Sequence, residues 1–180
     1  RASTKPRTKP RPTPSSNPAT VLGSQQAKGT AVVFHGFSAS RRLMRTLGQS
    51  LEAAGLRVVL VDLPGHGDST EAFDFARVEE CAAAVLEELA RKGDINPDST
   101  ALVGHSMGGG IALRLADRFP TAATIAISPG LGKLPRRMPS NLLVFTAQFD
   151  PARLKSAARE LGRAASGERT TAQDFGERRA

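Results

Sequence analysis

Ser106 lies in Gly104-His105-Ser106-Met107-Gly108, between a short apolar run and an amphipathic pattern. Thr100-Ala-Leu-Val103 has the composition of a buried strand. Met107, Ile111 and Leu115 then recur at helical spacing until Phe119-Pro120 closes the segment. A strand that turns sharply into a helix needs small residues where the two backbones crowd, and Gly104, Gly108, Gly109 and Gly110 supply them. Such a turn holds the Ser106 hydroxyl clear of the sheet, at the positive end of the helix dipole. The chemistry open to a hydroxyl so placed is nucleophilic attack. By itself the pentapeptide also fits a glycine-rich turn whose serine caps the helix. The strand before it, the helix after it and two further motifs favour the nucleophile. The lone thiol, Cys81, excludes an internal disulfide and falls on the apolar side of a helix pattern, which suits a core position. No His-Glu-x-x-His or paired Cys-x-x-Cys spacing occurs, so no metal and no organic cofactor is implied.

The elements that must position Ser106 alternate in type. Ala31-Val-Val-Phe34 predicts a buried strand. Leu43, Leu47, Leu51 and Ala54 predict a helix that Gly55 ends. Arg57 to Val61 is the next strand. A second helix is predicted from about Phe75 to Lys92, with Val78, Cys81, Val85 and Leu89 inward and Gly93 beyond its end. On its outer face Glu87 and Arg91, and Glu88 and Lys92, are spaced for i,i+4 pairs. Ala123 to Ile127 and Leu142 to Phe145 are further strands, and Leu154, Ala157, Ala158 and Leu161 suggest a last helix. This alternation predicts an α/β fold with a mostly parallel sheet and helices on both faces.

Net charge is +8; Arg1, Lys5, Arg7, Lys9, Arg11 and Lys28 supply +6 of it within the first 28 residues, and no acid precedes Glu52. Residues 1 to 28 are rich in Pro, Ser and Thr, with five prolines between Pro6 and Pro18, and predict a mobile basic tail or linker. Such a tail suits an acidic surface such as nucleic acid or anionic lipid. A solvated tether is the simpler reading, because no aromatic residue interleaves the charges to stack on bases. The remaining charge is close to balanced. No apolar run approaches the length of a membrane span.

Three stretches carry a family resemblance: Phe34-His35-Gly36-Phe37, Asp62-Leu-Pro-Gly65-His66-Gly67-Asp68-Ser69 and Gly104-His105-Ser106-Met107-Gly108-Gly109. In this order and spacing, over about residues 29 to 165, the chain resembles the α/β-hydrolase superfamily. Within it the likeness is to the serine-hydrolase branch that includes esterases, lysophospholipases and serine aminopeptidases. The resemblance implies that Ser106 attacks an acyl carbonyl and that the resulting oxyanion meets preorganised amide donors. In the family these are the N–H after the nucleophile, here Met107, and one in the loop after the first strand, here Phe37. His35, Gly36, Gly104, His105 and Gly108 occupy supporting positions, with Gly36 allowing close approach and His105 pointing away from the hydroxyl. Without the family, His35-Gly36 is equally an ordinary strand-to-loop turn. Asp62 to Ser69 is expected to give shape rather than catalysis, with His66 a hydrogen-bonding loop residue. The resemblance places the triad acid just past a later strand, at Asp150, before a helix opening on Pro151. An N-cap aspartate is the plain alternative there.

The family's general base is a histidine that follows the acid. None follows Asp150: the three histidines are His35, His66 and His105. A final strand is missing as well and the chain opens on Arg1, which favours an excerpt of an active enzyme over a naturally base-less relative. On that expectation residues 29 to 180 are a hydrolase domain lacking its final strand and helix, and Asp150 orients a histidine outside this chain. Only Pro129 to Asn141 separate two strands where many relatives insert a lid, so an open site is expected. Phe37, Met107 and Leu131 would border an acyl pocket, and Lys133, Arg136 and Arg137 a solvated connection. The expected function is cleavage of a carboxylic ester or related acyl bond of a small-molecule substrate through an acyl-enzyme. Its rivals are a non-catalytic binding module and a basic-tail adaptor for an anionic surface.

Overall fold

The computed structural model describes residues 17–130 and 142–145. Strands β1 (Ala19–Leu22), β2 (Thr30–Phe34), β3 (Arg57–Val61), β4 (Thr100–His105), β5 (Ala123–Ile127) and β6 (Leu142–Phe145) form one sheet in the order β1-β3-β2-β4-β5-β6. β2 to β6 pair in parallel and only β1 is antiparallel, against β3. β2 and β3 are buried along their whole length, as parallel strands covered on both faces should be.

Successive side chains along a strand point to opposite faces. Ala31 and Val33 of β2, Val58 and Leu60 of β3, and Ala101 and Val103 of β4 pack with Met44, Leu47 and Leu51 of helix α1 (Arg45–Ala53) and the turn before it. The intervening Val32, Phe34, Val59, Val61 and Leu102 face the other way. They meet Val78, Ala82, Val85 and Leu86 of α2 (Val78–Arg91) and Ile111, Ala112 and Leu115 of α3 (Met107–Leu115). The fold is therefore the expected α/β arrangement, with helices on both faces. Truncating a fully buried member such as Leu51 or Leu102 to alanine would cost about 2–5 kcal/mol. Among the described residues no helix is long and apolar enough to cross a membrane.

Both glycines expected to stop helices do so in the same way. Gly55 (φ 90°) follows α1, with Leu56 N–H on Leu51 O and Gly55 N–H on Glu52 O. Gly93 (φ 74°) follows α2, with Asp94 N–H on Leu89 O and Gly93 N–H on Ala90 O. These crossed bonds satisfy the last carbonyls, and the left-handed residue they require favours glycine.

Three sequence expectations need correction. The basic tail does not extend to residue 28. Residues 19 to 22 pair with β3, Asn17 is buried, and the Pro18 carbonyl accepts the Asp62 N–H at 2.9 Å. Ala-Thr-Val-Leu is too short to stand out against the surrounding Pro, Ser and Lys, yet it completes a sheet edge whose partner strand supplies the register. α2 begins at Val78, not near Phe75. The Asp74 side chain takes the Ala76 N–H and its carbonyl takes those of Arg77 and Val78, which starts the helix three residues later. Finally, the expected Glu88–Lys92 pair forms, but Arg91 pairs with Glu88 and not with Glu87, which approaches Arg118 of a neighbouring element at 3.9 Å. The suggested helix around residues 154 to 161, the tail before residue 17, and Asp150 lie outside the described residues.

Candidate active site

Strand order reverses at β2: the chain leaves it on one side for β3 and returns on the other as β4. In open parallel sheets a crevice forms at such a point, beyond the carboxyl ends of the strands. Phe34 at the end of β2 is in register with Gly104 near the end of β4. The segments that follow them, His35-Gly36-Phe37 and Ser106-Met107, therefore emerge side by side.

Ser106 joins β4 to α3 with φ 51° and ψ −115°. A non-glycine residue there stores about 1–3 kcal/mol and persists only where its surroundings fix it. They do so through the backbone. Ser106 N–H donates to Ile127 O of β5 at 2.9 Å, and Ser106 O accepts from Gly110 N–H at 3.1 Å and Gly130 N–H at 2.8 Å. The crowding is equally definite. A Cβ on Gly104 would overlap the Gly108 carbonyl, and one on Gly108 would overlap the Phe34 carbonyl. A Cβ on Gly36 would lie 3.2 Å from the Ser106 Cβ and 3.1 Å from His105 Nδ1. The Ser106 side chain is half-buried and makes no capping hydrogen bond to α3, so the capping reading of this serine fails.

Two backbone amides lie in the segments that border this corner. Met107 is the first residue of α3, where an N–H has no acceptor within the helix. Phe37 is the second residue of a turn closed by Ala39 N–H on Gly36 O at 3.2 Å, with Ser38 at φ 59°. Its own N–H plays no part in closing that turn.

Two of the histidines brace the loops. His35 Nε2 accepts the Leu63 N–H at 2.9 Å, so its Nδ1 carries the proton and donates to Gly36 O at 2.7 Å. Burial pushes this imidazole below its usual pKa. His66 repeats the pattern: Nε2 accepts the Ser38 N–H at 3.1 Å and Nδ1 donates to Pro64 O at 2.7 Å. His66 is thus the hydrogen-bonding loop residue that was expected. Burial also lowers the pKa of half-buried His105, the last residue of β4.

A charge cluster not evident in the sequence holds the flanking loops. Asp62, fully buried, accepts the Arg41 N–H at 2.7 Å and the Asp68 N–H at 2.9 Å, and pairs with the Arg41 guanidinium. Arg41 also reaches Asp68 at 2.6 Å and Thr20 of β1 at 3.0 Å. Hydrogen bonding by Arg41, then the charge of Arg42, holds the Asp68 carboxyl below the usual carboxylate range. Gly67 passes so close that a Cβ there would overlap the Asp62 carboxylate. The only advance signal was an acid inside a Pro-Gly loop; its partner lies 21 residues upstream. Rings also gather here. Phe37, Phe73 and Phe75 contact one another, and His66 contacts the first two.

β6 ends beside Ile127, at the same end of the sheet as Ser106. Asp150, Leu131 and the connection with Lys133, Arg136 and Arg137 lie outside the described residues. The structure thus brings together Ser106, Met107, His35, Gly36, Phe37, Gly104, His105 and Gly108.

A family model for the alpha/beta hydrolase family matches residues 31–179. The chain is 39% identical over 88 residues to the pimeloyl-[acyl-carrier protein] methyl ester esterase of Neisseria meningitidis, covering 49% of this chain and 31% of that protein. Among solved structures it is similar to the monoacylglycerol lipase of Paleococcus ferrophilus, with TM-score 0.55 and 28% identity over 69% of this chain and 47% of that one. An α/β serine hydrolase without lid from Xanthomonas campestris shares the fold, with TM-score 0.60 and 23% identity over 71% of this chain and 64% of that one. The chain spans about a fifth to two fifths of the length of the curated relatives it matches.

Proposed function

The chain belongs to the alpha/beta hydrolase family, and from that premise we propose that it is the nucleophile-bearing part of a serine esterase. The observation that carries this reading is the backbone of Ser106: a strained, three-fold anchored corner at a half-buried residue whose side chain does not cap the helix it precedes.

In the proposed reaction Ser106 Oγ forms a bond to the ester carbonyl carbon, and its proton passes to an imidazole. The carbonyl oxygen becomes an oxyanion held by the amides of Met107 and Phe37, each worth about 3 kcal/mol of transition-state stabilisation. Collapse breaks the bond to the alcohol, which leaves with the proton. Water then releases the acid from the acyl-enzyme by the same steps. Asp150 orients the imidazole. That imidazole belongs to none of the chain's histidines. His35 and His66 already use both ring nitrogens in the loops, and His105 belongs to β4. The base is therefore assigned to a histidine outside these 180 residues. The esterase and lipase relatives support a small ester as substrate.

A fluorophosphonate should label Ser106 when the base is present, and Ser106→Ala should abolish labelling and lower ester hydrolysis by about 10⁶-fold. Labelling of the alanine variant would exclude Ser106.

A further inference from the structure

Two phenylalanine rings stand in solvent beside the Ser106 corner, and the chemistry above uses neither. Phe37 is 56% exposed and Phe75 71%. Single exposed apolar residues are ordinary, but two from separate loops with nearly parallel ring planes form a surface. Their rings are 14° from parallel with centroids 6.0 Å apart. Half-buried Phe73 supports both, meeting Phe37 at 5.2 Å and Phe75 at 4.5 Å, each edge-on. The His66 ring braces Phe37 at 5.5 Å and Phe73 at 5.4 Å.

The support is rigid. His66 is fixed at both nitrogens. Phe73 sits where a Cβ on Gly65 would be, and the Gly65 N–H donates to Glu71 O at 2.7 Å, folding the loop back on itself. A group laid on the two exposed rings thus meets a preformed face and gives up little ordering entropy of the protein. Parallel ring faces favour a flat π-system in offset stacking over a puckered ring or a flexible chain of equal apolar area. The surface also begins at the reaction centre, because Phe37 follows Gly36, which packs on Ser106.

We propose that Phe37, Phe73 and Phe75 form a binding platform for an aryl group carried by the ester substrate, on its acyl or its alcohol side. The word ester rests on the nucleophile reading of Ser106; the platform does not.

Amide analogues test the platform without any need for hydrolysis. N-benzylacetamide carries phenyl on the alcohol side and N-methyl-2-phenylacetamide on the acyl side; each is titrated against its cyclohexyl counterpart of similar size. At least one phenyl member should bind about fivefold more tightly than its counterpart, and which pair shows the preference identifies the side. Phe75→Leu, at an exposed position and with an unchanged Tm, should erase the preference while keeping apolar contact. Equal affinities in both pairs, no binding of either phenyl amide at millimolar concentration, or a preference that survives Phe75→Leu would overturn the proposal. With the base present, hydrolysis of benzyl against cyclohexylmethyl acetate, and of methyl phenylacetate against methyl cyclohexylacetate, reads the nucleophile separately. Activity retained in Ser106→Ala would sink that role and leave the platform standing. Ser106-dependent activity blind to the aryl group would sink the platform alone.

Discussion

The two sides of the candidate site are held by opposite means. On the β4–α3 side, Ser106 is positioned by the absence of side chains. Gly104, Gly108 and the Phe34 carbonyl are packed so closely that no Cβ fits, and among the described residues the bonds that hold Ser106 are backbone to backbone. On the flanking side, the loops after β2 and β3 are joined by side chains: Asp62 with Arg41 and Asp68, His35 with Leu63, His66 with Ser38. The bonds and contacts of the first arrangement involve no charged group, so salt should not move it, and of its neighbours His105 titrates with a pKa lowered by burial. The second is electrostatic and hydrogen-bonded through titratable groups. The Ser106 corner and the flanking loops therefore answer to different perturbations.

The largest expected effect breaks the glycine side. Gly108→Ala forces a methyl onto backbone carbonyls that cannot yield, and should cost at least about 4 kcal/mol or prevent folding. Gly55→Ala is the control. Nothing lies within 4 Å of its Cβ position, so only its left-handed backbone is strained, at about 1 kcal/mol. Urea midpoints that fall equally for the two would show that crowding does not fix the corner. Next comes the flanking side. Asp62→Asn keeps the shape but leaves Arg41, 16% exposed, without its buried counter-charge. It should destabilise by about 3 kcal/mol in urea unfolding. A neutral result would mean that the loops hold without the ion pair.

The same contrast explains what could be read in advance. Glycines crowd because of where backbones pass, and backbone paths follow from hydrophobic period and turn chemistry, both local. Ser106, Gly104, Gly108 and the helix stops at Gly55 and Gly93 were therefore legible, as was the parallel α/β layering. Arg41 with Asp62 was not, because a charge pairing across 21 residues leaves no local pattern. β1 was hidden for a related reason: four residues of modest hydrophobicity become a strand only because β3 offers an unpaired edge. The Phe37–Phe75 stack depends on α2 starting at Val78, since a helix from Phe75 would have carried that ring elsewhere.

The smallest effect sharpens the contrast through pH. Desolvation depresses the His35 pKa below 6.5; the nearby His66 acts in the same direction, and the Gly36 hydrogen bond and the Asp62 charge oppose them. A second proton would go to Nε2 and displace the Leu63 N–H it accepts. The unfolded chain takes that proton readily near pH 6.5 and the folded chain does not. Stability from the neutral ring is thus complete above pH 6.5 and declines as pH falls below it, by at most about 1.4 kcal/mol per pH unit for one histidine. His105, also depressed by burial, adds with the same sign. Asp68, held below 3.8 by Arg41 and Arg42, contributes in a separate window, lost only as pH falls beneath that value. Urea midpoints should therefore drop between about pH 7.5 and 5.5, and His35→Gln should flatten part of the slope. Hydrogen exchange locates the effect, once rates are corrected for intrinsic pH dependence. The Leu63 amide, bonded to the His35 ring, should lose protection on acidification before the Gly110 amide, bonded to the Ser106 carbonyl. If both amides open together across that range, the side-chain-held loop and the glycine-held corner are one cooperative unit and the distinction between them disappears.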